Sequence, residues 1–294
     1  MRAAAILGLG STPRDLQPFQ IAQTDWTIGL PGSADGLDAI LIFGGDGTVH
    51  RHLRALVNLQ LPVLVVPAGS GNDFARALGL FRERDSLAAW YKFAAGTARA
   101  RPVDLGTITP MGPSAQPKPD PTYFSCAAGV GLDGEIARRA NELPRWLRGH
   151  GGYAISLPGA LLGFRPFALK LETESLDPTS SSAPLQSEQH VLAAIFANTP
   201  VYGGGMRVAP RAQMGDGKLD VCLIHDIPKL KLLSVFPTVY FGRHLGIREV
   251  DYFSASCALV KTDPPLDVYA DGEYVCRTPV EISVAPSALR VITP

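Results

Sequence analysis

The sequence predicts an α/β domain followed by a β-rich second domain, and three observations carry that reading. Two apolar runs, 38–43 and 61–66, each lead directly into a glycine-rich turn and then into a helical repeat. Five prolines stand between Thr109 and Pro121, with little to bury, as in a linker or exposed loop. Beyond them, short β-like runs dominate: Tyr123–Ala127, Phe167–Glu172, Val191–Ala197, Leu219–Ile224, Ala258–Lys261 and Val280–Val284. Residues 1–106 are therefore assigned to the α/β domain. Residues 107–294 are assigned to a β-sandwich or distorted barrel, with the final residues able to return to the first domain.

The start of the chain, Met1 to Gly10, carries a short apolar run followed by Gly8, Gly10 and Pro13, which suits a first strand and turn better than a cleaved leader. Run 38–43 reads as a strand buried on both faces of a parallel sheet. In Gly44-Gly45-Asp46-Gly47-Thr48 the glycines let the backbone turn sharply and approach a ligand, because no Cβ intervenes. After Thr48 the period changes, and Val49, Leu53, Leu56 and Val57 fall on one face of a helix. Strand, glycine turn and helix N-terminus together make a seat for phosphate. Asp46 lies inside it, and a carboxylate beside phosphate needs a divalent cation to bridge the two, so the loop suggests a nucleotide with Mg²⁺.

The unit then repeats. Run 61–66 is a second buried strand, and Gly69-Ser70-Gly71-Asn72-Asp73 follows Pro67. A helix runs from Asp73 towards Leu78 and stops at Gly79, placed at the left-handed C′ position. Ser70 and Asp73 fit a variant capping box with Ser70 as N-cap. Neighbouring parallel strands lie roughly 5 Å apart, so Asp46 and Asp73 converge at the carboxyl ends of the strands, where open α/β sheets bind ligands. Each acid alone reads as a turn or cap residue; their equivalent placement in successive units points to function. Asp104, in Val103-Asp104-Leu105-Gly106, is a candidate third acid.

Acids and bases balance at 27 each, so the chain as a whole attracts neither nucleic acid nor an anionic bilayer, although a local basic face is compatible with that balance. The four cysteines are far apart in sequence and read as reduced thiols of a cytoplasmic protein. The longest apolar stretch, 151–164, contains Pro158 and is too short to span a bilayer, so membrane contact is expected to be peripheral. A homodimer is compatible with the sequence and not specified by it.

In the second domain, Gly129, Gly131 and Gly134 match G-x-G-x-x-G, but no acid stands about 20 residues on to hold a ribose, which argues against hydride transfer. No G-x-x-x-x-G-K-[ST] loop exists either. The segment Lys229 to Leu245 reads as one helix with a broad apolar face, by default packed on the core, and Ser175 to Glu188 as a mobile loop tip. Asp271-Gly272-Glu273 reads first as a hairpin turn; Asp271 is also placed to accept a hydroxyl proton in phosphoryl transfer. Asp216-Gly217 is a turn first and a cation ligand second. The apolar side chains of Tyr153, Leu157, Leu161 and Phe164 read equally as an acyl groove or as core.

Taken together, these residues resemble the diacylglycerol kinase catalytic family, which includes bacterial diacylglycerol kinases and sphingosine-type lipid kinases. The resemblance runs from Leu37 to Pro294. It rests on Gly44–Thr48, Pro67–Arg76, Asp104–Gly106, Ala128–Asp133, Asn198 with Gly203–Gly205, Ala209–Ala212 with Asp216-Gly217, and Asp271–Glu273. The glycine-aspartate loop is shared with NAD kinases and phosphofructokinases; Gly71–Arg76 and the late Asp-Gly-Glu favour the lipid kinases.

The resemblance implies an NAD-kinase-like α/β domain and a β-sandwich with the active site between them. It implies ATP and Mg²⁺ organised by Asp46, Asp73 and Asp104, with Gly44, Gly45, Gly47, Thr48, Gly69, Ser70, Gly71, Asn72 and Glu273 on the nucleotide side. Asp271 is then general base on the hydroxyl of a diacylglycerol-like or other long-chain lipid alcohol, and Asp216 a ligand of a structural cation. The protein would be cytoplasmic and act transiently at the membrane surface, with no nucleic-acid partner. Two departures stand out: Leu7–Thr12 replaces the family's usual Asn-Pro-x-Ser-Gly start, on a segment shorter by about one strand–helix unit, and Arg51 stands where a Glu is usual. The alternatives are a nucleotide- or lipid-binding protein without transfer, and a kinase of soluble substrates of the NAD kinase type.

Overall fold

A computed structural model describes residues 1–21, 24–112, 119–144, 152–173 and 187–294. The chain divides into two compact units, Met1–Asp104 with Ser287–Pro294, and Leu105–Pro286.

The first unit is built on parallel strands β1 (Arg2–Leu7), β2 (Asp25–Ile28), β3 (Ala39–Gly44) and β4 (Pro62–Pro67) in the order β2-β1-β3-β4. The Ile/Leu/Val side chains of β3 and β4 are buried on both faces, as a covered parallel sheet requires, while β2 is an exposed edge strand. Register pairs Phe43 with Val66 and Gly44 with Pro67, so both glycine-rich loops leave the sheet at the same level. Helix α1 (Asp46–Leu59) buries Thr48, Val49, Leu53 and Leu56; α2 (Asp73–Ala77) and α3 (Glu83–Ala94) follow β4. Between β1 and β2 the chain makes a 3₁₀ helix, Pro13–Phe19, whose Phe19 carbonyl accepts the indole N–H of buried Trp90 at 2.8 Å.

The second unit is antiparallel. Its strands are β5 (Arg101–Pro110, entering the unit at Leu105), β6 (Thr122–Phe124), β7 (Ala127–Gly131), β8 (Phe167–Thr173), β9 (Ser187–Ala197), β10 (Leu219–His225), β11 (Val250–Ala255), β12 (Cys257–Asp263), β13 (Asp267–Ala270), β14 (Glu273–Arg277) and β15 (Val280–Val291). They run in the order β14-β13-β7-β9-β8-β12-β15, and β10 pairs with both β9 and β11. The strands enclose a core of Phe124, Phe196, Leu169, Val221, Val260 and Ile282 with their neighbours. Helices α4 (Leu132–Glu142), α5 (Gly152–Gly163) and α6 (Lys229–Val235) share a smaller core that includes Leu132, Ile136, Leu157, Leu161 and Leu232. Leu157 and Leu161 are therefore core side chains.

Several expectations need correction. Helix α1 starts at Asp46, so the whole Asp46-Gly47-Thr48 stretch is its first turn. The single helix expected over 229–245 ends at Val235 and continues as 3₁₀ turns, Phe236–Phe241 and Arg243–Gly246. Pro237 explains this, since it has no N–H for the helix ladder and crowds the preceding turn. The run Tyr123–Ala127 splits into β6 and β7, and the short strands β2 and β11 had no clear pattern. Gly129–Gly134 joins β7 to α4, but β7 has antiparallel neighbours, so no strand–helix–strand dinucleotide unit exists there. The predicted loop tip at 175–188 lies largely outside the described residues, as does 113–118 of the proline-rich stretch; Ser187 and Glu188 begin β9. Among the described residues no helix is long and apolar enough to cross a membrane.

Candidate active site

In the first unit, the two glycine-rich loops meet backbone to backbone. A Cβ on Gly69 would lie 2.4 Å from Gly45 Cα, and one on Gly45 would lie 2.9 Å from Gly69 Cα. Gly44 is closed in by Thr48, whose Cβ would stand 2.6 Å from an added methyl. Gly8, at the end of β1, joins the same junction: its N–H donates to the Phe43 carbonyl at 2.7 Å, and a Cβ there would meet that oxygen and Thr48 Oγ1. These glycines are required by close approach. The sequence marks Gly8 as a turn residue after the first strand, but not its contact with Phe43 and Thr48, which lie 35 or more residues on.

Asp46 and Asp73 come together. The Asp46 carboxylate accepts the backbone N–H of Asp73 at 3.1 Å and of Phe74 at 3.0 Å, so it caps α2 from the preceding strand–helix unit. Ser70 is not the N-cap. That position is Asn72, in the left-handed region at φ 58°, where Asn is one of the few tolerated side chains. The Asn72 amide closes the loop on itself, accepting from Gly69 N at 2.9 Å and donating to Gly69 O at 2.7 Å. Asp73 is buried and pairs with Arg76 at 3.2 Å. Gly71 lies between the two acids: a Cβ there would be 2.6 Å from Asp46 Oδ2 and 4.0 Å from Asp73 Oδ2. Ser70 is exposed, as are Ala68 and Gly69.

Asp104 is held by the end of the chain. Its buried carboxylate accepts the Ser287 N–H at 2.7 Å, fastening the returning end of the chain. Among the described residues no three Asp, Glu, His or Cys side chains are gathered as metal ligands, so the expected three-acid cluster is not formed. Magnesium, however, is commonly held by one or two carboxylates together with substrate phosphates and water. The pair flanking Gly71 fits that donor set, because only a glycine leaves the space between them open.

In the second unit, Asp271 (φ 50°) and Gly272 (φ +85°) form the two-residue turn joining β13 to β14, with Ala270 paired to Glu273. Positive φ at both centres is the mirror-type turn that suits the strand twist. The Asp271 carboxylate accepts four hydrogen bonds: Ser125 N at 2.8 Å and Ser125 Oγ at 3.0 Å on Oδ2, Cys126 N at 2.8 Å and Ala127 N at 3.3 Å on Oδ1. Buried Asn198 braces this loop through Ser125 O at 2.9 Å, and Asn141 holds Gly272 O at 2.6 Å. Ser125 and Asn141 had no sequence signal, because their partners lie 146 and 131 residues away. Glu273 is exposed at the start of β14. Asp216 sits in an exposed turn, accepting Lys218 N at 3.0 Å, as a turn-forming Asp does.

Nearby, Asp133 is buried against Gly129 and receives the Tyr202 hydroxyl at 3.4 Å, while Tyr202 in turn bonds Tyr153. Burial pushes the Asp133 carboxyl up to about 7, partly offset by the Tyr202 hydroxyl.

Comparison with known proteins agrees with this geometry. Residues 30–108 match the diacylglycerol kinase catalytic domain, and residues 126–293 match the YegS C-terminal NAD kinase beta sandwich-like domain. The chain is 34% identical over 261 residues to the diacylglycerol kinase of Mycobacterium tuberculosis, covering 89% of this chain and 78% of that protein. A putative diacylglycerol kinase from Bacillus anthracis superposes with a TM-score of 0.74 at 18% identity, covering 100% of this chain and 97% of the other. An NAD kinase from Archaeoglobus fulgidus shares the fold more distantly, with a TM-score of 0.50 at 15% identity over 99% and 92% of the two chains. On these two domain models and the 34% identity to the Mycobacterium tuberculosis diacylglycerol kinase, the chain belongs to the bacterial diacylglycerol kinase family of lipid kinases.

Proposed function

We propose that this protein transfers the γ-phosphate of ATP to the hydroxyl of a diacylglycerol-like lipid alcohol. The observation that carries the reading is the meeting of Asp46 and Asp73 over Gly71, at the mouth of two apposed glycine loops. On this reading Gly44–Thr48 and Gly69–Asp73 receive the phosphates, and Asp46 and Asp73 hold Mg²⁺. Bound there, the cation neutralises phosphate charge. In this scheme Asp104 supports the Mg²⁺ side, Asp216 serves a structural cation, and Glu273 belongs to the nucleotide side.

Asp271 is the proton acceptor for the lipid hydroxyl. A carboxylate has about four acceptor positions, and here four donors occupy them. Three of those donors are fixed backbone N–H groups. The fourth, the Ser125 hydroxyl, rotates, so it is the one that can give way to a substrate hydroxyl. General-base catalysis of this kind contributes about 10² to 10⁴ in rate. The lipid substrate also makes peripheral contact with a membrane a part of the proposal.

The identity to a relative named diacylglycerol kinase favours a lipid acceptor over NAD and over binding without transfer. Purified protein incubated with γ-labelled ATP, Mg²⁺ and mixed micelles of diacylglycerol or other long-chain alcohols is expected to put label into lipid. Label in NAD, or ATP binding with no labelled product from any lipid, would overturn the proposal.

A further inference from the structure

Helix α5 is a surface helix whose outward positions, Ile155, Pro158, Leu162 and Gly163, include no polar side chain. A helix apolar all round normally lies inside a protein or against lipid. Helix α6 and the 3₁₀ turn after it leave Leu230, Leu233, Pro237 and Phe241 exposed, here interleaved with exposed Lys229, Lys231 and Ser234. Leu230 is 83% exposed, Leu162 77% and Phe241 73%. Among the described residues, five of the six large hydrophobics exposed in the second unit belong to these two stretches; Tyr274 is the sixth. The stretches are tied together where the Lys229 ammonium donates to the Leu162 carbonyl at 2.9 Å.

Charge is as uneven as polarity. Residues 152–165 and 227–248 carry Arg165, Lys229, Lys231, Arg243 and Arg248 and not one acid, in a chain whose acids and bases balance overall. Two acids flank the second stretch: exposed Asp226, and Glu249, which takes Lys231 at 2.7 Å and also attracts Arg248, so the two stretches with their flanking acids keep a net charge of +3. Exposed Leu and Phe set among Lys and Arg match the chemistry of an anionic bilayer surface: apolar tips enter the headgroup region and cations meet lipid phosphate.

We propose that α5, α6 and the turn ending at Phe241 form the surface by which this protein docks on anionic membrane. The proposal rests on the lipid-kinase reading for its purpose, but its test does not depend on phosphate transfer. Wild-type protein is sedimented with sucrose-loaded vesicles of phosphatidylcholine alone or with about one-third phosphatidylglycerol, without ATP. Binding is expected to favour the anionic vesicles. The triple variant Leu162→Glu, Leu230→Glu, Phe241→Glu is expected to lose at least about thirtyfold in partitioning. The triple variant Arg165→Ser, Arg243→Ser, Arg248→Ser, which alters no apolar position, is expected to lose roughly fivefold per charge towards anionic vesicles and nothing towards phosphatidylcholine.

Equal partitioning of wild type and both variants, or no binding of wild type to either vesicle, would overturn the assignment. So would a wild-type dimer that the apolar variant turns into a monomer in sedimentation velocity, since a second copy would then cover the face. Phosphorylation of a water-soluble short-chain diacylglycerol needs no bilayer and is expected unchanged in the apolar variant. Loss in that variant alone would sink the docking surface, whereas its absence from wild type would sink the kinase reading and leave the vesicle result standing.

Discussion

Asp46 and Asp271 are both held by backbone N–H groups, yet the two units build these seats by opposite routes. In the first unit everything is local: Asp46 caps a helix that begins 27 residues later, and the loops that meet there belong to consecutive strand–helix repeats. In the second unit the Asp271 turn is filled by donors 144 to 146 residues earlier in the chain, delivered by the pairing of β13 with β7. The first seat is set by glycines that allow contact, the second by a hairpin turn that fixes a side chain.

The largest expected effect tests whether the two seats have separate roles. Asp271→Asn is expected to lower lipid phosphorylation about a thousandfold while ATP still binds, because it removes the proposed proton acceptor without touching the glycine loops. Calorimetric titration with ATP checks this; loss of ATP binding as well would erase the distinction.

Gly69→Ala sharpens the claim about contact. Its methyl would stand 2.4 Å from Gly45 Cα, with backbone on the far side and no flexible side chain to yield. Overpacking of this kind costs about 1–3 kcal/mol, and displaced phosphate seats are expected to raise the KM for ATP about tenfold or more. Gly272→Ala is the matched control in the other unit. At φ +85° with nothing within 4 Å, it meets no neighbour, so only backbone conformation is penalised, by about 1 kcal/mol. Denaturant titrations of the two variants should differ accordingly; equal losses would mean that crowding at Gly69 relaxes freely.

The last effect is one of slope. In the folded chain the Asp133 carboxyl keeps its proton up to about pH 7, whereas unfolded it releases it near 3.8. The native state then binds more protons between those values, so stability falls as pH rises through that window and levels above it. Asp133→Asn should flatten the slope of Tm against pH between about 4 and 7. A parallel slope in the variant would assign the pH dependence to other groups.

The same contrast explains what the sequence could reveal. Strand, glycine turn and helix are encoded within a few residues, so β3, β4 and the apposition of Asp46 with Asp73 were legible from spacing. The correct cap of α2 was not, because Asp46 reaches it from another unit and displaces the local candidate Ser70. The seat of Asp271 was invisible for a deeper reason: Cys126 and Ala127, two of the three residues that hold it, do so through backbone N–H alone, which leaves no trace in side-chain identity. The grip of Asp104 on Ser287 N was not legible either, because that partner arrives from the opposite end of the sequence. The break at Pro237 was written in the sequence and was outweighed by the apolar pattern around it.

Strand β15 ends beside β4, pairing Arg290 with Pro62 and Val291 with Val63, and the Asp104 carboxylate grips it at Ser287. A nascent chain emerging from the ribosome therefore cannot complete the parallel sheet that carries the glycine loops until residues 287–294 have been made. The first unit is thus closed by residues that follow the second unit in the sequence, so removing 287–294 would leave its sheet open-edged at β4.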